Sequence, residues 1–223
     1  MTTEQTIIDK IKKTFERLAD SSPSINISKL SGKTFELYSL LDIIKELEIE
    51  GFNLRLILIN GNVQFANKPS KLNRSRFSHI QLYRDKEKYE LWMDIEFIGI
   101  SGYSAPLSSR AQIFRKNFVH ELDIAILENN IPNGERPTYE EIHMAVECKD
   151  TQNFGKSILK QILGIRRELS FLSSSNIYPN KITHRSIKQY PPTEFWIYSS
   201  NSSINNLQHV GNFWGLKFKY LSI

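Results

Sequence analysis

Three ionisable residues of this chain lie in apolar segments, where charges are costly. Asp123 stands in the run ELDIAIL, and Glu147 and Lys149 end the run HMAVECK. A charged group in such surroundings needs a partner of opposite charge or a bound cation. Side chains alternate across a strand, so Glu147 and Lys149 should share one face while Cys148 points to the other. If the two segments pair as strands, two carboxylates and an ammonium meet at one end of a sheet.

This set of groups suits the hydrolysis of a phosphodiester bond. Mg²⁺ prefers oxygen ligands and is held in proteins by one or two carboxylates together with a substrate phosphate. The ion acidifies a bound water, and a neighbouring ammonium orients that water or stabilises the negative transition state. We therefore expect Asp123 and Glu147 to be ligands of Mg²⁺, for which Mn²⁺ can substitute, and Lys149 to be the catalytic cation.

The elements that would position these residues follow from the hydrophobic periodicity. Helices are predicted over residues 1–20, from the N-cap Ser31 to near Gly51, and over residues 155–172 and 204–210. Strands are predicted over residues 55–60, 63–66, 89–100, 118–127, 142–149, 194–199 and 215–221. Turn-forming residues at 129–137 allow the strands of Asp123 and Glu147 to pair. The order predicts an α/β fold with one mixed central sheet flanked by helices.

An aspartate, a gap, and Glu-X-Lys on an apolar strand that leads into a helix resembles the PD-(D/E)XK, or restriction-endonuclease-like, nuclease superfamily. The pattern is carried here by HELD, which ends at Asp123, and by VECKD, which contains Glu147 and Lys149. The resemblance implies an αβββαβ core and Mg²⁺-dependent cleavage of DNA, with the main-chain carbonyl of Cys148 as a further metal ligand. It also implies a nuclease-like domain over residues 31–223, with an extra N-terminal helix and linker, residues 1–30, packed on it.

Two further residues match positions that some members of this superfamily use for catalysis. Glu36 lies on the helix before the sheet and shares an inward-facing stripe with Ile43 and Leu47. It either reaches the site or favours the positive end of the helix dipole. Gln161, on the helix after the Glu-X-Lys strand, is either close to the metal or an exposed polar residue.

The charge balance favours a polyanionic partner, which the resemblance identifies as DNA. The chain has 29 lysines and arginines against 24 aspartates and glutamates, a net charge of +5. Candidate phosphate contacts in a loop are Lys68, Lys71, Arg74 and Arg76, and those on the helix after Lys149 are Lys156, Lys160 and Arg167. Other basic loop residues include Arg110, Arg115 and Lys116. Related nucleases often act as homodimers, because cutting both strands requires two active sites.

Several other classes of protein are excluded or disfavoured by the sequence. The single cysteine, Cys148, excludes a disulfide framework and a cysteine-based zinc site, and it fits a reducing compartment. No segment approaches the roughly 20 apolar residues of a membrane span, and the N-terminus is amphipathic, so we expect a cytoplasmic protein. The pair His120-Glu121 does not complete an HExxH zinc motif, since Ile124 stands at its fifth position.

Two alternative functions fit the same residues. The acidic pair and the lysine could be a structural ion pair in a non-catalytic module that binds nucleic acid or assembles with a partner. An RNA-directed nuclease would use aromatic side chains to stack bases, but Trp92, Trp196 and Trp214 stand in apolar segments where core packing explains them. The primary expectation is an endonuclease for double-stranded DNA, which the resemblance associates with restriction or phage defence.

Overall fold

The computed structural model describes residues 3–25, 33–103 and 118–222. Its helices are α1 (Thr3–Ala19), α2 (Thr34–Ile49), the one-turn α3 (Ile100–Tyr103), α4 (Lys156–Leu169) and α5 (Gln208–Trp214), with 3₁₀ turns at Tyr139–Glu141 and Ser202–Leu207. None of the helices in these ranges is long and apolar enough to cross a membrane. The predicted N-cap Ser31 and the basic residues Arg110, Arg115 and Lys116 lie outside the described residues.

Thirteen short and long strands are present in the described ranges. They are β1 (Ser24–Ile25), β2 (Asn53–Ile57), β3 (Asn62–Val63), β4 (His79–Arg84), β5 (Glu87–Ile98), β6 (Val119–Glu128), β7 (Ile142–Lys149), β8 (Phe171–Leu172), β9 (Tyr178–Pro179), β10 (Ser186–Ile187), β11 (Gln189–Tyr190), β12 (Glu194–Ser199) and β13 (Leu216–Tyr220). Seven of them form one sheet in the order β13-β12-β7-β6-β5-β4-β2. Within this sheet, neighbouring strands among β2, β4, β5, β6 and β7 pair antiparallel. Strands β7, β12 and β13 run parallel. The predicted α/β fold with a mixed central sheet is thus confirmed.

Helices cover both faces of this sheet. On one face, Phe15 of α1 and Leu40 of α2 are fully buried in a cluster that includes Trp196 of β12. On the other face, Ile162 of α4 packs in a second cluster with Phe195 of β12. The sheet is therefore the middle of three layers, and α1 belongs to the same core as α2.

Strand β4 is the main element that the sequence pattern did not predict. It pairs with β5 through a two-residue hairpin turn, in which Asp85 has a φ of 54°. Such turns usually contain glycine, and here an aspartate takes the left-handed conformation instead. Charged residues on both sides of the turn hide the alternation of buried Ile80 and Leu82 that marks the strand.

Other element boundaries also need correction. The predicted strand 63–66 is reduced to β3, which pairs in parallel with β1. The predicted helix 155–172 ends at Leu169, and the next residues form β8, paired with β11. The predicted helix 204–210 is a 3₁₀ segment followed by α5.

Acidification should destabilise this fold through His143 at the start of β7. Burial, helped by the charge of Lys181, lowers the pKa of His143 to about 4, although Glu128 opposes the shift. Because the folded protein prefers the neutral imidazole, the associated stability is full above pH ~6.5 and is lost as the pH falls toward 4. We expect wild-type protein to lose about 2 kcal/mol more unfolding free energy between pH 7 and pH 5 than His143→Gln does. Urea denaturation at the two pH values measures this, and equal losses in both proteins would contradict it.

Candidate active site

The pairing of β6 with β7 brings the three predicted chemical residues together. Ile124 lies opposite Val146 in this antiparallel ladder, so Asp123 lies across from Glu147. The backbone N–H of Cys148 donates a hydrogen bond to Oδ2 of Asp123 at 2.6 Å. Lys149 Nζ donates to Oε2 of Glu147 at 2.5 Å. The sequence-based expectation that two carboxylates and an ammonium meet at one end of the sheet agrees with this geometry.

Asp123, Glu147 and Lys149 line a cavity of about 640 Å³. One wall is the beginning of β6, including Glu121, and the opposite wall is one face of α4, including Gln161. Both Glu121 and Gln161 are exposed, so the cavity opens to solvent between them. Gln161 therefore shares the cavity with the acidic pair, as expected for one of its two interpretations.

Burial makes the acidic pair dependent on a cation. The Glu147 side chain is only 7 % exposed. Burial, and then the charge of Asp123, raises the pKa of Glu147 to about 7 even though Lys149 opposes the shift. Burial alone would lower the pKa of Lys149, but Glu147 and Asp123 raise it above its ordinary value. Lys149 alone therefore does not stabilise the charged form of Glu147, and a divalent cation beside the two carboxylates would favour that form.

Cys148 contributes to the site through its backbone. Its side chain packs against the core on the α2 face, opposite to Glu147 and Lys149, as strand alternation predicts. Burial raises the pKa of the Cys148 thiol well above its ordinary value, so the sulfur stays protonated and is a poor metal ligand. The role of its main-chain carbonyl as a metal ligand stays a prediction.

Strands β5 and β6 kink together at the site. Met93 packs in the cluster on the α2 face and Ile95 in the cluster on the α4 face, although residues two apart in a regular strand share one face. The side chains of β6 also switch from one face of the sheet to the other at Asp123. Asp123 lies across from Asp94 on the neighbouring strand. Asp94 has a φ of 50°, a left-handed conformation that costs a non-glycine residue about 1–3 kcal/mol. Such strain concentrates at functional sites, so we regard Asp94 as part of this one.

The sequence analysis missed Asp94 and also Lys33, which binds it. Lys33 Nζ donates hydrogen bonds to Asp94 Oδ2 and, at 3.1 Å, to Oε2 of Glu36. Burial, with a contribution from Asp123, raises the pKa of Glu36 and of Asp94, although Lys33 opposes both shifts. Glu36 is half-buried, and it lies close enough to Asp123 for the two charges to interact. An aspartate inside the apolar run YELWMDIEFI is the feature of the sequence that points to Asp94.

The predicted phosphate-binding residues lie on two elements and do not line the cavity itself. Lys156, Lys160 and Arg167 are exposed on α4, the helix that forms one wall. Exposed Lys68 and Lys71 flank Ser70. The backbone of Ser70 is hydrogen-bonded to the backbones of Asp94 and Glu96, so Ser70 lies beside β5 as a neighbouring strand would. Adjacent strands are about 4.8 Å apart, so this loop lies about 10 Å from β6.

The guanidinium of Arg74 is instead hydrogen-bonded within the protein, and these contacts predict an effect on stability. Its Nε and Nη2 donate to Glu90 at 2.9 and 2.8 Å, and its Nη1 donates to the carbonyl of Ile131 at 2.9 Å. Glu90 is buried, so removal of the guanidinium leaves a buried charge without its main partner. We expect Arg74→Gln to lower the unfolding free energy by about 3 kcal/mol. The same change at exposed Arg76 should cost under about 0.5 kcal/mol in a urea titration, and equal losses at the two positions would contradict the assignment.

The aromatic residues considered for base stacking are mostly unavailable to a base. Trp92 and Trp196 are buried, and Trp92 stacks against the ring of His79 within the core. Trp214 is half-buried beside Phe213. Stacking of RNA bases on Trp92 or Trp196 would require these indoles to leave the core.

The donor set fits a magnesium ion held by few protein ligands. In the described part of the chain, no group of three or more His, Cys, Asp or Glu side chains is arranged to hold a metal. Two carboxylates, with waters and a substrate phosphate, are nonetheless the usual set for Mg²⁺. No family model, curated protein or solved structure matches this chain. Asp123, Glu147 and Lys149 are therefore the residues from which a function can be inferred.

Proposed function

We propose that this protein is a Mg²⁺-dependent nuclease that hydrolyses phosphodiester bonds of DNA. The supporting observation is that Asp123, Glu147 and Lys149 line one solvent-accessible cavity. If β2 to β4 and β8 to β11 are treated as additions to a core, the order α2, β5, β6, β7, α4, β12 is compatible with the proposed αβββαβ succession, with the acidic residues on its second and third strands. The two lines of support are independent, because one is chemical and the other topological.

The residues have distinct roles in this proposal. A bound Mg²⁺ supplies an acidified water and neutralises charge on the scissile phosphate. Asp123 and Glu147, with the carbonyl of Cys148, would hold the ion, and the Cys148 N–H fixes the orientation of the Asp123 carboxylate. Lys149 is hydrogen-bonded to Glu147, and its ammonium would orient the attacking water or stabilise the phosphate.

Double-stranded DNA is the substrate that the surface charges favour. Exposed lysines lie both on α4, which forms one wall of the cavity, and in the loop beside β5, and such cations suit contacts with a phosphate backbone. Contacts with phosphates carry no information about the base sequence of the DNA. We therefore propose recognition of phosphates together with a bond-cleaving centre.

The proposal is tested by incubating supercoiled plasmid, linear duplex DNA and RNA with the protein, with either Mg²⁺ or a chelator. We expect DNA cleavage that requires Mg²⁺ and is lost in Asp123→Asn, which keeps the shape of the side chain but removes its charge. Cleavage that persists in the chelator or in the variant would contradict the assignment.

The same assay distinguishes the alternatives. The internal pairing of Lys149 with Glu147 and of Asp123 with the backbone of Cys148 is also what a structural ion pair would show. DNA binding without cleavage of any substrate would favour the non-catalytic module, and cleavage of RNA alone would favour the RNA-directed nuclease.

A further inference from the structure

Helix α4 carries a glycine where its surface faces the cavity of the proposed catalytic residues. Gly164 lies in the middle of α4 and lines this cavity together with Gln161 and Glu168. A glycine inside a helix is destabilising relative to alanine, because its backbone loses more conformational freedom on folding. Helix formation therefore does not explain the residue at this position.

Packing within the protein does not explain it either. A Cβ atom added to Gly164 would meet no atom of the described residues within 4 Å, and Gly164 is exposed. Gly211 in α5 is the opposite case, because a Cβ atom there would lie 2.7 Å from the carbonyl oxygen of Leu216. A side chain at position 164 would instead extend into the cavity or into the solvent beside it.

Two cations lie next to this glycine on the surface of α4. Lys160 precedes Gly164 by four residues and Arg167 follows it by three, and these spacings make them neighbours on the helix surface. Neither cation lines the cavity, both are exposed, and neither makes an ion pair within the described part of the chain. A position without a side chain, with an unpaired cation one turn away on each side, suits a chain of phosphates that crosses the helix.

The two walls of the cavity differ in the charge that they present to such a chain. The wall formed by β6 carries Glu121 and Asp123, which repel phosphates unless a cation is bound. On the α4 wall, the carboxylate of Glu168 accepts hydrogen bonds from the backbone N–H and the hydroxyl of Ser101, at 2.9 and 2.6 Å. The surface around Gly164 is therefore the side from which a phosphate backbone can approach the cavity.

We propose that Gly164 is the point at which the phosphodiester backbone of a DNA strand crosses α4 to enter the cavity, with Lys160 and Arg167 bound to phosphates on either side of it. This inference rests on the proposed nuclease function and adds the path of its substrate. The missing side chain lets the sugar-phosphate chain lie against the backbone of the helix, which is a common use of glycine at binding surfaces.

The inference predicts that a side chain at position 164 stabilises the protein but weakens DNA binding. Gly164→Ala and Gly164→Leu should each raise the melting temperature by about 2–4 °C, because alanine and leucine favour the helix. The fluorescence anisotropy of a short labelled duplex, measured at low salt in a chelator so that metal-dependent cleavage is prevented, gives the Kd. We expect the Kd to rise about threefold in Gly164→Ala and about tenfold in Gly164→Leu.

The matched control is Thr6→Leu, which places a leucine at an exposed position of α1, on the opposite face of the sheet. Its Kd should stay within about twofold of the wild type. Lys160→Gln should raise the Kd and reduce the slope of log K against log salt by about one. The effect of Lys160→Gln should be smaller in the Gly164→Leu background, because the strand is then displaced from Lys160.

The outcomes separate this inference from the proposed function. Weaker binding in both Gly164 variants, with unchanged binding in Thr6→Leu, would support the inference whether or not the wild type cleaves DNA. Unchanged binding in the Gly164 variants, a lower melting temperature in Gly164→Ala, or no DNA binding by the wild type would overturn it. If the wild type cleaved DNA with Mg²⁺ and Gly164→Leu bound and cleaved it equally well, the proposed nuclease would stand and the proposed crossing point would be wrong.

Discussion

Replacement of Lys149 by methionine is expected to reduce Mg²⁺-dependent cleavage by about 100- to 1,000-fold at saturating metal. The aliphatic part of the side chain is retained, so the loss reports the ammonium that orients the water or stabilises the phosphate. The protein should still fold, since Glu147 can take up a proton near neutral pH once its partner is removed. Rates from a fluorescently labelled duplex, measured over a range of Mg²⁺ concentrations, separate a loss of turnover from a loss of metal affinity.

The matched control is Lys45→Met, which makes the same change of charge at an exposed position on α2. Its cleavage rate should stay within about twofold of the wild type, because a single distant surface charge is screened by salt. A Lys149→Met variant that cleaves as fast as this control would remove Lys149 from the proposed mechanism.

The largest effect on stability is expected at Trp196. This indole is 1 % exposed, lies 3.7 Å from Lys217 Nζ at its ring centroid, and donates its N–H to Glu194. Trp196→Ala should lower the unfolding free energy by about 4 kcal/mol, because it leaves a cavity in the core and removes the donor to Oε2 of the buried Glu194 carboxylate. Trp196→Phe keeps most of the packing and loses the hydrogen bond, so it should lose about 1–2 kcal/mol.

Urea denaturation followed by circular dichroism at pH 7 measures these differences. Half-buried Trp214 provides the comparison, and Trp214→Ala should cost less than Trp196→Ala. If the two alanine variants lost the same free energy, the buried position assigned to Trp196 would be wrong.

The sequence was sufficient for the parts of the site that depend on local patterns. Asp123, Glu147 and Lys149 interrupt apolar runs, and a charge in such a run is visible without a structure. The alternation that separates Cys148 from its neighbours was also predictable, because β7 pairs with β12 without a register shift from Met144 to Lys149. Gln161 was singled out by the resemblance alone, and its place on the wall of the cavity is known only from the structure.

The remaining parts depend on tertiary structure. The kink at Asp94 changes the face of two paired strands at once, and no local pattern encodes a change shared by two segments. Lys33 stands before α2 in sequence, and only the packing of α2 on the sheet brings it to Asp94. Arg74 in a polar loop looks like a surface cation, whereas its partner Glu90 becomes buried only when β5 enters the sheet.

The most direct test of the central claim is a crystal structure of the protein grown with Mn²⁺, with anomalous diffraction used to locate the ion. The account predicts an anomalous peak at the end of β7, about 2.1–2.2 Å from carboxylate oxygens of Asp123 and Glu147 and from the carbonyl oxygen of Cys148. Occupied Mn²⁺ sites elsewhere, with none touching Asp123 or Glu147, would contradict it.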